Sequence, residues 1–319
     1  DGGLPQNLRC VGLYSCWSSK TVAGTAQAYK PGVELWSDGA EKARWLTIPA
    51  GAKIDVSKRD GWVFPVGTTV YKEFKVGGKR LETRVLKKTA GDGPASDAGA
   101  NATWEATVYR WSEDGESSAT RLDKGEVVGD YEIPPSSMCS RCHRGRDDML
   151  LGVEEWSLAT PTATGLTMTK MKELGLLTPE PATTTMTIPE DGTGKAAAAL
   201  GWLHANCGAC HNSRTGNAKY SGLFLDLADN PVGAGGVQDT STWVTAMNQA
   251  FVIPRYTNNP AYATFLRMKP GNAAESLVPT VDAIRTSGGV DPDQMPPVLS
   301  RKVDPKAASV SEWIQALPP

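Results

Sequence analysis

The sequence is poor in histidine, has almost no net charge and contains no long hydrophobic segment. Only three histidines occur in 319 residues, and 33 basic residues nearly match 35 acidic ones. No run approaches the roughly 18 apolar residues that a membrane-spanning helix needs. A near-neutral chain also lacks the field that recruits nucleic acid or an anionic membrane surface. We therefore predict a globular protein with no nucleic-acid partner and no transmembrane segment.

Cysteine is also scarce, and its six copies fall into three pairs. Four of them form two CxxCH motifs, Cys139-Ser-Arg-Cys142-His143 and Cys207-Gly-Ala-Cys210-His211, which leaves Cys10 and Cys16. We expect a short-loop disulfide between these last two, because an even number of cysteines fits full pairing in an oxidising compartment. The alternative is two unpaired thiols in a reducing cytosol. The expected location is periplasmic or extracellular, with a surface anchor before processing left open.

Each CxxCH motif has the residue types and the spacing of a covalent haem c site. Two cysteines three positions apart can each add to a haem vinyl group, and the histidine that follows can bind the iron. A structural zinc site or a redox dithiol is the alternative, but three histidines leave little for zinc. We therefore predict two covalently bound haem c groups. The attachment residues are Cys139, Cys142, Cys207 and Cys210, and the proximal iron ligands are His143 and His211.

Met295 is the predicted distal ligand of the second iron. It lies in Gln294-Met-Pro-Pro297, where adjacent prolines stiffen the backbone and can hold a loop methionine against the metal. A methionine that only fills the core is the alternative. A sulfur ligand raises the reduction potential and blocks exchange, so this residue favours electron transfer at the second site.

The distal ligand of the first iron has several candidates. Met168 and Met171 lie at a suitable distance from His143 on one predicted helix, but a helical methionine commonly serves packing alone. His204 is the one histidine outside the motifs, and it can ligate the first iron or be a surface or propionate-bonding histidine of the second haem. An open first site would permit ligand binding or peroxide chemistry.

The pattern of apolar residues predicts a chain with two kinds of structure. Residues 29–133 alternate apolar and polar residues as half-buried strands do, whereas residues 134–319 show short helical patterns separated by Pro, Gly and Thr. We predict an α+β protein with an antiparallel β-sandwich-like domain over residues 1–133. A mainly α-helical di-haem cytochrome c region follows over residues 134–319, with the first haem in 134–190 and the second in 191–319.

Several segments resemble known haem proteins. Cys207-Gly-Ala-Cys-His-Asn212, Leu223-Phe-Leu-Asp226, Pro270-Gly-Asn272, Gln294-Met-Pro-Pro297 and Trp313-Ile314 resemble class I-like cytochrome c domains of large bacterial haem proteins, and this resemblance implies a distal role for Met295. Upstream, Trp62-Val-Phe-Pro-Val-Gly-Thr68 and Val108-Tyr-Arg-Trp111 look like a family of uncharacterised bacterial di-haem c-type cytochromes with a β-rich N-terminal region. That resemblance implies an extracytoplasmic location and leaves the reaction open.

Three functions are compatible with these motifs. Single-electron transfer between redox proteins is the first, and the Met295 turn supports it. A di-haem peroxidase or oxidase with an open first haem is the second, and it needs a distal acid-base group, for which the sequence offers Asp147, Asp148, Glu154 and Glu155. The third is a surface-binding module that the haems connect to a redox chain.

Overall fold

The chain divides into two compact units. The computed structural model describes residues 3–59, 61–94, 103–214, 218–227, 235–285, 293–297 and 300–319. Unit 1 comprises Asp1–Gly32 and Gly39–Thr185, and unit 2 comprises Val33–Asp38 and Met186–Pro319. The first CxxCH motif belongs to unit 1 and the second belongs to unit 2, so each motif has its own structural surroundings.

Unit 1 is built mainly from β-strands. The strands of the described residues are β1 (Tyr14–Cys16), β2 (Thr21–Val22), β3 (Gln27–Lys30), β4 (Glu41–Thr47), β5 (Ile54–Asp55), β6 (Thr69–Val76), β7 (Lys79–Ala90), β8 (Thr103–Trp111), β9 (Ala119–Arg121), β10 (Glu126–Val128), β11 (Tyr131–Ile133), β12 (Thr164–Gly165) and β13 (Leu177–Thr178). Seven of them form one antiparallel sheet in the order β12-β3-β4-β6-β7-β8-β9. The others form two-stranded pairs, β1-β2, β10-β11 and β5-β13.

The two faces of the large sheet pack against different parts of unit 1. Because side chains alternate along each strand, Tyr71 and Val85 point to one face while Lys72 and Arg84 point to the other. The first face packs with N-terminal leucines in a core of Leu4, Leu8, Leu13, Ala26, Tyr71, Val85, Tyr109, Trp111 and Ala119. The second face packs with β11 in a smaller core of Ala40, Phe74, Leu81, Val108, Tyr131 and Ile133. Residues 134–138 connect β11 to the first CxxCH motif, so this second face positions that motif.

The helices are short. Those of the described residues are α1 (Cys139–His143), α2 (Glu155–Leu158) and α3 (Met168–Glu173) in unit 1, and α4 (Ala196–Asn206), α5 (Ser241–Ala246), α6 (Pro254–Thr257), α7 (Leu277–Ala283) and α8 (Ala308–Ala316) in unit 2. The longest, α4, has 11 residues. No helix of these described segments is long and apolar enough to cross a membrane.

The predicted fold class is wrong. Unit 1 has a single seven-stranded sheet with two-stranded additions, and unit 2 has short helices joined by irregular segments, with no helical cytochrome c pattern in the described residues. Alternation identifies strands but does not tell a lone sheet from two stacked sheets. The helical patterns at residues 196–206 and 308–316 do form helices. The 22 prolines and 33 glycines of the chain, however, interrupt helices before they can form a bundle.

Cys10 and Cys16 lie at the surface of unit 1. Both residues are exposed and their sulfurs are not bonded to each other, so the predicted disulfide is not formed in the structure. Cys16 Sγ lies 3.4 Å from Ser18 Oγ. Hydrogen bonds from the Ser18 and Ser19 side chains lower the pKa of Cys16 to about 6. At neutral pH its thiolate, the form that attacks another sulfur, therefore predominates.

Candidate functional site

The first CxxCH motif forms helix α1 beside the sheet of unit 1. A 3-10 turn over Ser136–Met138 leads into α1, and the Val108 N–H of β8 donates to Ser136 Oγ at 3.1 Å. Cys139 and Cys142 are three positions apart, so their thiols project from one face of the helix. Burial raises the pKa of both thiols. Two neutral thiols therefore lie side by side, immediately before His143.

His143 has one ring nitrogen bonded to the backbone. Its Nδ1 lies 2.5 Å from the carbonyl oxygen of Met149. A carbonyl can only accept, so Nδ1 carries the proton and Nε2 keeps its lone pair. Burial lowers the pKa of His143 to about 4, and the ring is therefore neutral at pH 7. Met149 has a φ of 67°, a left-handed conformation that is uncommon outside glycine and that the surrounding structure has to hold.

Asp148 holds the backbone directly before Met149. Its carboxylate is fully buried and accepts from Lys88 Nζ at 2.7 Å, from Trp104 Nε1 at 2.8 Å and from the Phe64 N–H at 2.7 Å. Lys88 of β7 is equally buried, so the pair joins β7 to the loop after α1, and Trp104 joins β8 to the same carboxylate. Asp148 thus helps to fix the Met149 carbonyl that orients His143. Both carboxylate oxygens of Asp148 accept hydrogen bonds in this structural role.

The other acidic residues near the first motif also have structural contacts. Glu155 forms an ion pair with Arg59 at 3.2 Å, and Glu154 accepts from the Ser157 hydroxyl. Asp147 is buried next to Gly61, where a Cβ on the glycine would come within 2.4 Å of Asp147 Oδ2. Glu154 and Glu155 therefore each use one carboxylate oxygen for a structural contact.

Three cations stand side by side on the sheet face that carries α1. Arg44 of β4 is opposite Lys72 of β6, and Lys72 is opposite Arg84 of β7. Glu82 compensates Arg84, with Arg84 Nε donating to Glu82 Oε2 at 2.9 Å. Within the described residues no carboxylate lies at ion-pair distance from Lys72, whose Nζ is 5.0 Å from the centre of the Phe74 ring. Burial, and then the charge of Arg44, lowers the pKa of Lys72 well below its ordinary value. The charge of Lys72 also reaches His143 and Cys142.

The second CxxCH motif continues from the end of α4 in unit 2. The Cys207 N–H donates to Leu203 O at 2.8 Å, and the N–H groups of Cys210 and His211 both donate to Cys207 O, at 3.0 and 2.8 Å. Gly208 has no room for a side chain, because a Cβ there would lie 2.7 Å from His204 O. The motif is therefore one compact turn, with two partly buried cysteines.

His211 repeats the arrangement of His143. Its Nδ1 lies 3.3 Å from Leu223 O, so Nδ1–H is again the donor and Nε2 keeps its lone pair. Burial lowers the pKa of His211 to about 4. The Leu225 N–H donates back to His211 O at 2.8 Å, which ties the segment after the motif to the motif itself.

His204 supports the same segment from the inside. The side chain is 1% exposed, and its Nδ1 accepts from the Leu227 N–H at 3.0 Å. This bond uses the Nδ1 lone pair of His204 for structure. Its role as a ligand of the first iron stays a prediction.

Met295 lies against a partly exposed apolar wall in unit 2. The buried members are Tyr256, Leu277 and Val281, and the partly buried ones are Phe251, Ile253, Tyr262, Phe265 and Met295. The Met295 N–H donates to Val281 O in α7 at 3.0 Å. The next residue of α7, Asp282, is close enough to Cys207 to raise the pKa of that thiol further, after burial has raised it. The Met295 turn and Cys207 of the second motif therefore both lie near α7.

Met168 and Met171 are interior residues of unit 1. Both lie on α3, and they are 2% and 0% exposed. Their predicted role as ligands of the first iron stays a prediction.

Sequence reasoning missed several residues of these sites. It did not find the Asp148–Lys88 pair, the row of Arg44, Lys72 and Arg84, or the two carbonyls that orient the histidines. The strand alternation contained a signal for the cation row, since three basic residues occupy matching positions on neighbouring strands. The carbonyls carry no side-chain signal at all.

Comparison with known proteins gives no relative from which a role could be transferred. Among the described residues, no three His, Cys, Asp or Glu side chains form a cluster that could hold a metal ion. No protein-family model, no curated protein and no solved structure matches this chain.

Proposed function

We propose that this chain is a haem c protein of the periplasm or cell exterior that carries single electrons between redox proteins, with one haem attached at each CxxCH motif. One observation carries the proposal. In both motifs the histidine donates Nδ1–H to a backbone carbonyl, Met149 O for His143 and Leu223 O for His211. An imidazole held in this way presents the Nε2 lone pair in a fixed direction, as an iron ligand requires.

The carbonyl bonds give each histidine two properties of a metal ligand. They fix the tautomer and the orientation of the ring, and they make Nε2 more basic. Both rings are neutral at pH 7, because burial lowers the pKa of each to about 4. Neither ring needs to lose a proton before it binds iron at that pH.

The thiols of each motif suit covalent attachment. Each pair is separated by one helical turn, and all four cysteines are partly exposed. When bound, each haem supplies an iron that alternates between the ferric and ferrous states, which is a one-electron couple. The protein contributes the attachment points, the axial imidazoles and the surrounding charge.

Met295 supports electron transfer at the second site. Its side chain packs with aromatic and aliphatic residues, and α7 joins its turn to the vicinity of Cys207. A thioether in such a wall is a soft ligand that favours ferrous iron and keeps exchangeable ligands away. This arrangement suits a carrier more than a catalyst.

The peroxidase alternative lacks a supporting contact at the first site. Two of the four acidic residues offered by the sequence are in ion pairs, Asp148 with Lys88 and Glu155 with Arg59. The surface-binding alternative has no observation in its favour either. Electron transfer is therefore the function we propose.

A carbon monoxide titration of the reduced, haem-loaded protein tests this function. We expect no change in the reduced spectrum, because a carrier has both irons closed by protein ligands, together with a weak Met-sulfur band in the oxidised spectrum. The M295A variant is the matched control, and about one equivalent of carbon monoxide should bind to it. Binding of one equivalent to the unaltered protein would instead show an open iron and favour catalysis or ligand sensing.

A further inference from the structure

Arg267 is a buried cation whose partners are backbone carbonyls. It is 7% exposed, and its guanidinium donates to Gly222 O at 2.6 Å, to Ser221 O at 2.7 Å and to Thr245 O at 2.8 Å. No carboxylate lies within ion-pair distance of Arg267 in the described part of the chain. A buried charge without a counter-charge is costly, so this position calls for a functional explanation.

The three carbonyls show what the guanidinium holds. Ser221 and Gly222 directly precede Leu223, whose carbonyl accepts the Nδ1–H of His211. Gly222 has a φ of 62°, so this segment bends sharply just before Leu223. Arg267 therefore fixes the chain on the N-terminal side of the carbonyl that orients His211.

Thr245 fixes the same chain on the other side of Leu223. Its hydroxyl accepts from the Phe224 N–H at 2.8 Å and lies 3.1 Å from Phe224 O. Its own carbonyl is one of the three that Arg267 binds. Arg267 and Thr245 together hold Leu223 between them, and the His211 ring depends on that position.

The charge of Arg267 also has an electrostatic consequence. A guanidinium stays protonated at every accessible pH, so this is a constant positive charge. It lies close to the His211 ring, because the guanidinium binds the carbonyls of the two residues directly before Leu223, whose own carbonyl is 3.3 Å from His211 Nδ1. A fixed positive charge near a metal destabilises the more positive oxidation state.

We propose that Arg267 is a positioning residue of the second haem site, which orients His211 through Ser221, Gly222 and Leu223 and raises the reduction potential of the iron that His211 binds. This inference rests on the proposed function, because it assumes a haem at the second motif. It assigns two separable effects to one side chain, the geometry of the ring and the charge.

Spectroelectrochemical titration of the loaded protein tests the charge effect. The wild-type curve should resolve into two one-electron components. In R267M the midpoint potential of one component should fall. The equilibrium constant for reduction of that component should decrease at least tenfold, which corresponds to about 59 mV for one electron. R267K keeps the positive charge, so its potential should stay close to that of the wild type. K306M removes an exposed lysine from the same unit and should leave both components in place.

The orientation effect has its own readout. Hyperfine-shifted proton resonances of the oxidised protein report the plane of the axial imidazole. R267K should alter them, because a single ammonium cannot reproduce the planar fork in which Nη1 and Nη2 of Arg267 bind the three carbonyls. T245V, which keeps the charge of Arg267, should alter them as well. T245V also decides the positioning claim if R267M fails to fold.

The outcomes separate this inference from the proposed function. A wild-type chain that carries no haem at Cys207 and Cys210 would contradict the proposed function. A loaded and folded R267M protein with unchanged potentials would overturn the charge effect alone. Unchanged hyperfine shifts in both R267K and T245V would overturn the positioning effect.

Discussion

At the scale of single residues, the two motif histidines are prepared for metal binding by their backbone partners. Met149 O and Leu223 O accept the Nδ1–H of His143 and His211, and burial keeps both rings neutral. His204, the third histidine, uses its Nδ1 as an acceptor instead. The same residue type thus has opposite hydrogen-bonding roles inside and outside the motifs.

The depressed pKa values of His143 and His211 predict a pH-dependent stability of the chain produced without haem. In the unfolded chain each ring binds a proton near pH 6.5, whereas in the folded chain it does so only near pH 4. The unfolded state therefore binds more protons between these values, and the free energy of unfolding should rise with pH from about 4 to about 6.5. Urea unfolding at pH 4.5 and pH 7 measures this.

The H143Q/H211Q double variant provides the control for this pH effect. It should lose most of the rise, because glutamine does not titrate. A rise of the same size in the variant would assign the effect to other groups.

Gly208 predicts a second residue-scale effect. A Cβ at this position would lie 2.7 Å from His204 O and 3.0 Å from Asp226 Cα, and backbone atoms cannot easily move away. We expect G208A to lower the free energy of unfolding by about 1–3 kcal/mol, as overpacking does. G236A is the matched control, since a Cβ at Gly236 would have nothing within 4 Å. Equal effects of both substitutions in a denaturant titration would contradict this explanation.

At the scale of elements, buried charge connects the large sheet to the first motif. The Asp148–Lys88 pair joins the loop after α1 to β7, and Trp104 joins the same carboxylate to β8. On the same face, Arg44, Lys72 and Arg84 lie across three neighbouring strands. The sheet therefore provides both the attachment and the positive potential of this site.

Loss of the buried pair should be costly. D148N would leave Lys88 buried without a counter-charge, and we expect the free energy of unfolding to fall by about 3–5 kcal/mol. E173Q breaks the Lys170–Glu173 pair, in which both side chains are more than half exposed, and should change stability by less than about 0.5 kcal/mol. Thermal and denaturant unfolding of both variants makes the comparison. A D148N effect no larger than that of E173Q would be inconsistent with a role for Asp148 in holding the loop.

The cation row predicts a substitution that stabilises the unloaded chain. K72M removes a partly buried charge that lies between Arg44 and Arg84, and it should raise the free energy of unfolding by up to about 1 kcal/mol. K87M on β7 is the matched control. Lys87 is opposite Glu105, so this substitution removes a pair of opposite charges. That variant should be destabilised by about 0.5 kcal/mol. A destabilised K72M chain would mean that Lys72 makes a favourable interaction in the chain.

At the scale of the whole molecule, the sequence predicted local elements better than it predicted architecture. Some of the short helical patterns beyond residue 134 form helices, as at Ala196–Asn206 and Ala308–Ala316, because the spacing of apolar residues is local information. The fold class failed, because stacking of sheets and helices depends on contacts between distant residues. The partners of His143 and His211 could not be predicted, since backbone carbonyls are the same in every residue type.

The central claim is covalent attachment of one haem at each CxxCH motif. The most direct test is the intact mass and in-gel haem staining of the chain, produced in cells that load a known c-type cytochrome. We predict two covalently attached haems on the wild-type chain and one on each of C139A/C142A and C207A/C210A. A wild-type chain without covalent haem, in cells where the reference cytochrome is loaded, would contradict the account.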